Sequence, residues 1–137
     1  MFIVKEYLET CNNEEFYRYM GRFFAERHFR RELPYLINDS EKIWYLFFDE
    51  EKLAGFVGVV MNQNGTTFND FYLLPTYRNV SNMKYIANYM FDMYSSERIR
   101  ILSDSKEELA LWEELGFQKQ GNKGRYTSLV YEETVCE

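Results

Sequence analysis

The sequence predicts a mixed α/β fold with the element order β-α(α)-βββ-α-β-α-ββ. Three observations carry that prediction. Between residues 44 and 74 three strand-like runs are separated by tight turn signals. Pro75 then ends the third run and hands the chain to a helix, and a second helix follows a brief strand. The 137 residues suit one domain, residues 1–137, because no repeat, low-complexity tract or Pro/Gly-rich linker divides them.

Each element has its own local reason. Phe2 to Tyr7 reads as an opening strand. Asn12 and Asn13 offer an N-cap, Glu14 and Glu15 favour the first turn, and Phe16, Met20, Phe23 and Phe24 share one face of a helix running to about Arg31. Pro34 interrupts the region, and a second short helix is expected before Asn38-Asp39-Ser40. Trp44 to Phe48 is an aromatic strand ended by the charged turn Asp49-Glu50-Glu51-Lys52. Leu53 to Met61 and Thr66 to Leu74 are joined by Asn62-Gln63-Asn64-Gly65, and such short turns argue for antiparallel pairing. Gly55 and Gly58 inside a strand signal a bulge or a close backbone approach.

A helix begins near Ser81, with Met83, Ile86, Ala87, Met90 and Tyr94 as its apolar stripe. Arg98 to Leu102 is a brief strand. Ser105-Lys106-Glu107-Glu108 is a capping-box signature for a helix that closes at Gly116. Phe117 to Gln120 and Arg125 to Glu132 form a terminal hairpin around Gly121-Asn122-Lys123-Gly124.

Composition narrows the function. Aromatics reach 19% with 12 Phe and 12 Tyr, which excludes a disordered chain and predicts a ring-rich core or cleft. The net charge of −6 disfavours nucleic acid and suits cationic acceptors such as amines. The cluster Arg22, Arg27, Arg30 and Arg31 is interleaved with Glu26 and Glu32 and reads as a solvated helix face. Cys11 and Cys136 lack metal-ligand spacing, and the lone His28 argues against a zinc site or a histidine triad. No metal is expected. MFIVKEYLET has no apolar run long enough for a signal peptide and no stretch approaches a membrane span, so the expectation is a reduced, cytoplasmic protein without a membrane partner. A bare sheet edge or an aromatic patch leaves a homodimer open.

Chemistry is concentrated between Phe68 and Met90. A strand that stops at a proline and feeds a helix start leaves backbone N–H groups aimed at one spot, an anion site worth about 0.3–1 kcal/mol per charge when exposed. Arg78 and Lys84 add cations. Ordinary turn punctuation by Pro75 and Ser81 explains the local pattern equally well.

The order of elements shifts that balance. Asp70-Phe71-Tyr72-Leu73-Leu74-Pro75-Thr76-Tyr77-Arg78 is close to a D-L-x-V-x-P-x-Y-R pattern, and Leu111-Trp112-Glu113-Glu114-Leu115-Gly116-Phe117 is close to L-Y-E-x-L-G-F. In layout nearly the whole chain resembles the GCN5-related N-acetyltransferase (GNAT) superfamily. The resemblance implies transfer of an acetyl group from acetyl-CoA to a primary amine, of a small molecule or of a peptide or protein, by direct attack. It also implies cofactor contacts along Leu73, Leu74, Arg78, Asn79, Val80, Ser81, Asn82, Met83, Lys84 and Ser105.

Within that frame the backbone amides of Leu73 and Leu74 polarise the thioester carbonyl. Arg78, Ser81 and Met83 fall on the first residue and the two glycines of the family's R/Q-x-x-G-x-G/A loop, and neither glycine is present. Met83 is the larger departure, because a thioether chain fills space that a phosphate would use. Trp112 stands where the family commonly has the tyrosine that protonates the departing thiolate, and an indole is a donor but not a usable acid. Tyr72, Tyr77 and Tyr126 are substitutes that the sequence does not rank. Asn69 and Asp70 are expected on opposite faces of the fourth strand, with Asp70 as the general base at the catalytic position or as a solvated strand residue. Ser81, Met83 and Trp112 in place of the pattern's residues also fit a second reading, a catalytically inactive interaction or regulatory module of the same fold that has lost acetyl-CoA binding.

Overall fold

In the computed structural model, which describes residues 2–132, seven strands form one twisted sheet in the order β1-β2-β3-β4-β5-β7-β6. β1 (Ile3–Tyr7), β2 (Ile43–Asp49), β3 (Lys52–Asn62) and β4 (Gly65–Leu73) form an antiparallel meander. β5 (Ile99–Ser103) joins β4 in parallel, and β6 (Gln118–Lys123) and β7 (Tyr126–Tyr131) form the terminal hairpin, with β7 inserted beside β5. The helices are α1 (Glu14–Ala25), α2 (Arg27–Glu32), α3 (Val80–Tyr94) and α4 (Lys106–Glu114). The expected order of elements holds. Cys136 lies outside the described residues.

Alternation along the strands sorts the aromatic residues into two cores, one on each face of the sheet. Trp44, Leu46, Phe56 and Tyr72 pack with Phe16, Met20 and Phe23 of α1 and Phe29 of α2. Tyr45, Phe47, Val57 and Phe68 pack on the other face with Ile86 and Met90 of α3 and Trp112 of α4. α1 is capped by the Asn13 side chain, which accepts from the Phe16 amide at 3.0 Å.

Three local expectations are corrected. The first helical stretch breaks at Glu26, whose extended backbone (ψ 136°) restarts the chain as α2 and turns Phe29 to within 4.4 Å of the Phe23 ring. No helix follows Pro34. Residues 33–42 are instead an irregular connection tied down by Asn38, which accepts from the Trp44 indole at 2.8 Å and donates to the Tyr17 hydroxyl at 2.7 Å. α3 starts at Val80, one residue from its expected start, and is capped by the Asn79 side chain. β6 runs on through Gly121 to Lys123 by way of a bulge, so the terminal turn shrinks to Gly124 and Arg125, with Gly124 left-handed at φ 62°.

Candidate active site

The site begins with a parting of strands. β4 and β5 pair only from Thr66–Ile99 to Phe68–Ile101 and then diverge. The Leu74 amide donates to the Ala54 carbonyl at 2.9 Å, which fixes the hydrogen-bonding edge of β4 toward β3. Backbone groups alternate along an antiparallel edge, so those of Phe71 and Leu73 point the other way, into the gap that β5 has left. Leu73 therefore keeps a free amide in the gap, whereas Leu74 does not. Only one of the two amides expected to face a thioester carbonyl is available.

A bulge shapes the same strand. Gly58 pairs with Asp70 and Val59 with Phe68, so Asn69 is the extra residue and drops out of the alternation. Asn69 and Asp70 consequently line one cavity rather than opposite faces. Gly58 is required by close approach, because a Cβ there would strike the Asp70 carboxylate and the Trp44 ring.

Two adjoining cavities occupy the gap and share Glu32, Leu33, Phe71, Asp104 and Glu108. One continues toward Leu73, Arg78, Met83 and Ser105, and the other toward Asn69, Asp70, Arg125 and Tyr126. The arrangement is a bent cleft with a loop end and a mouth at the β6–β7 hairpin.

At the loop end, Pro75–Tyr77 form one 3-10 turn. The Arg78 amide donates to Pro75 (3.2 Å) and the Asn79 amide to Tyr77 (3.0 Å). The Asn82 amide donates to the Asn79 side chain (2.9 Å) and the Met83 amide to the Asn79 carbonyl (3.0 Å). Among the described residues, the amides of Thr76, Val80 and Ser81 have no protein acceptor in this loop, and the last two are adjacent. They lie in the first turn of a fifteen-residue helix, where the dipole favours an anion.

The loop side chains are partly committed. Arg78 turns back to the Leu73 carbonyl through Nε (3.1 Å) and Nη2 (2.8 Å), and Nη2 also meets Glu32 at 2.9 Å. Asn82 donates to the Tyr77 carbonyl at 2.8 Å. Met83 is half-buried, packs on the α3–α4 core and lines the cleft wall. Lys84 points to Glu114 of α4, 3.8 Å away, and stands outside the cleft. Ser105 caps α4 by accepting from the Glu108 amide at 3.3 Å and also lines the cleft.

On the β4 wall Asp70 is almost fully buried, and Lys42, 2% exposed, brings its ammonium to 2.9 Å from Oδ2. That approach is an ion-pair distance without hydrogen-bond direction, so Oδ2 is buried without a directed partner. Lys42 gives its directed bond to the Ile37 carbonyl at 2.7 Å. Burial pushes the Asp70 carboxyl up, and the Lys42 charge, then the Asn69 side chain, pull it back down.

On the opposite wall stands Glu108, which sequence reasoning absorbed into the capping box. Its carboxylate does not return to the Ser105 amide, because Ser103 of β5 takes that amide at 3.1 Å. Instead the Ser103 hydroxyl donates to Oε2 at 2.9 Å, and the Trp112 indole donates to Oε1 at 3.4 Å. Burial raises the Glu108 carboxyl from its ordinary 4.5 to about 7 against those two hydrogen bonds. Spacing was the available signal: Glu108 and Trp112 are four apart and share one helix face. Lys42 had none, since its partner lies in a distant strand.

The tyrosines divide as well. Tyr72 donates to Glu32 at 3.0 Å, and burial followed by that bond pushes it up to about 12. Tyr77 donates to Asp49 at 3.0 Å on the surface, and its pKa is also raised, chiefly by that bond. Tyr126 lines the mouth, edge-on to Tyr35 at 6.1 Å. Trp112 is fully buried against Phe68, Phe71 and Phe117 and is a core residue.

No helix among the described residues is long and apolar enough to cross a membrane. No group of three or more His, Cys, Asp or Glu among them is placed to hold a metal ion. No curated protein matches the sequence. Solved structures share the fold. The Campylobacter jejuni N-acetyltransferase PseH in complex with acetyl coenzyme A is 16% identical, with a TM-score of 0.60 over 96% of this chain and 100% of its own. Escherichia coli ElaA is 9% identical with a TM-score of 0.69 over 96% and 100%. A Bacillus subtilis acetyltransferase in complex with CoA is 12% identical with a TM-score of 0.61 over 98% and 100%. Residues 6–117 match the Acetyltransferase (GNAT) family, which spans the parted strands, the turn after Pro75 and α4, and the chain belongs to that family.

Proposed function

We propose that this protein transfers an acetyl group from acetyl-CoA to a primary amine by direct attack. The observation that carries the reading is the parting of β4 from β5. It leaves the Leu73 amide facing a cleft whose loop end is lined by Arg78 and Met83, on either side of the Val80 and Ser81 amides, which are unbonded at the start of α3. Acetyl-CoA supplies an activated acyl group, and the relatives solved with acetyl coenzyme A and CoA make it the co-substrate to try first.

Each residue then has a task. The Leu73 N–H polarises the thioester carbonyl, a contribution of the oxyanion-hole kind. The Val80 and Ser81 amides take the pyrophosphate, and Arg78 adds a cation once it exchanges the Glu32 carboxylate for phosphate. Asp70 accepts the proton that the attacking amine must lose, through water, and the Lys42 ammonium favours its charged form. The acceptor is a small-molecule or peptide amine that enters at the mouth lined by Tyr35 and Tyr126.

A second reading, an inactive module of this fold, is favoured by two specific contacts. Arg78 is already held by Leu73 and Glu32, and the Met83 chain lines the space next to it. Thermal denaturation with acetyl-CoA separates the two. At about a hundred-fold excess over Kd, binding stabilises by about 2.7 kcal/mol, which moves Tm by several degrees. A shift in the unmodified protein supports the enzyme. A flat response there with a shift in Met83→Ala identifies a plugged site and the module, and flat responses in both exclude a CoA site.

A further inference from the structure

We infer that Glu108 is the acid that returns a proton to the departing sulfur, an assignment that rests on the acetyl-transfer reading above. The geometry comes first. Glu108 lines both halves of the cleft, so its carboxyl sits at the waist between the loop end, near Leu73 and Arg78, and the acceptor end, near Asp70 and Tyr126. A thioester that spans those two ends has its reacting bond at that waist. Trp112 cannot give up a proton, but its indole donates one hydrogen bond to Glu108 Oε1 and so holds the carboxyl in place. The Ser103 hydroxyl, which donates or accepts as needed, serves Oε2 in either protonation state.

Two of the competing tyrosines are worse placed, and the third, Tyr126, stands at the mouth rather than at the waist. Tyr72 is spent on Glu32 and raised to about 12, and Tyr77 is on the surface with Asp49. A carboxyl that titrates near about 7 gives its proton downhill to a thiolate whose conjugate acid is near ~8.5. The charged groups facing Glu108 around the cleft are Asp104 between β5 and α4, Glu32 on α2, Asp70 on β4, Arg78 after β4 and Arg125 before β7. Of these, Asp104 acts on it appreciably, in the same upward direction as burial. The α4 dipole works the other way by less than one pH unit, so burial prevails.

The balance closes with groups already named. The amine nitrogen forms a C–N bond to the acyl carbon, the C–S bond breaks, and Glu108 passes its proton to the sulfur to give a thiol. The nitrogen sheds its surplus proton through water to Asp70, and the Glu108 carboxylate is reprotonated from solvent in the open cleft.

The test titrates CoA bound to the protein, with Glu108→Gln as the comparison and desulfo-CoA as the control for binding without a sulfur. Carbon NMR of glutamate labelled at its carboxyl identifies Glu108 by the signal that the variant lacks. If the assignment is right, CoA shifts that signal and desulfo-CoA shifts it less. The bound thiol, followed by its thiolate absorbance, then titrates about one unit higher in the unmodified protein than in Glu108→Gln, because two neighbouring anions oppose each other. With a panel of primary alkylamines, kcat falls about 10²-fold in the variant while KM for acetyl-CoA holds; if no amine is turned over, the thiol titration decides. Equal shifts with both ligands, or a thiol that titrates alike in both proteins, would overturn the assignment and leave acetyl transfer standing. Failure of either ligand to perturb any signal would instead remove the acetyl-transfer reading itself.

Discussion

On the β4 wall of the cleft the Asp70 carboxyl sits 2.9 Å from the Lys42 ammonium, whereas on the α4 wall the Glu108 carboxyl meets a hydroxyl and an indole N–H and no cation. Burial raises both, and only Asp70 has a buried positive charge to oppose it. The contrast shows one cleft holding two buried carboxyls in different surroundings: an ammonium opposes the effect of burial at Asp70, and hydrogen bonds alone oppose it at Glu108. Neither residue type decides its own role.

The largest way to break the comparison is to remove the cation. Lys42→Met leaves Asp70 buried without a counter-charge and should destabilise the fold by about 3–5 kcal/mol near neutral pH. Asp70 is an acid held above its ordinary pKa, so its folded form keeps a proton that the unfolded chain releases. The deficit should shrink as pH falls and the carboxyl is neutralised. Urea denaturation at several pH values checks this, and Lys42→Met with Asp70→Asn should recover part of the loss. A single variant as stable as the parent would mean that the pair carries no buried charge.

The smaller effect sharpens the other wall. Glu108 binds its proton more tightly in the folded state, so stability should fall as pH rises from its ordinary 4.5 to about 7. Glu108→Gln keeps an acceptor for the indole and removes the titration. The variant should lose that slope and exceed the parent by up to about 3 kcal/mol above the window. Parallel stability–pH curves would contradict the burial argument.

Elements written in local chemistry were legible in the sequence. Asn13 and Ser105 cap their helices as read, Pro75 ends β4, and the three central strands fall within a residue or two of their expected bounds. What needed a partner was not. The Asn69 bulge exists only against β3, the Glu26 break only because Phe29 finds Phe23, and Lys42 meets Asp70 across twenty-eight positions of chain. Glu108 was hidden by a correct reading carried one step too far. Its backbone takes the cap from Ser105, but Ser103 has displaced its carboxylate from the other half of the box. At the loop, the lost glycines were visible in sequence, yet which amides stay free depends on the 3-10 turn and on Asn79.

Amide-resolved NMR during titration with acetyl-CoA reads the cleft one N–H group at a time, the free ones against the bonded ones. The Leu73, Val80 and Ser81 amides should shift strongly and saturate together, while Leu74, tied to Ala54, should respond little. Saturation at some other surface, or no response at those three amides, would contradict acetyl-CoA binding in this cleft.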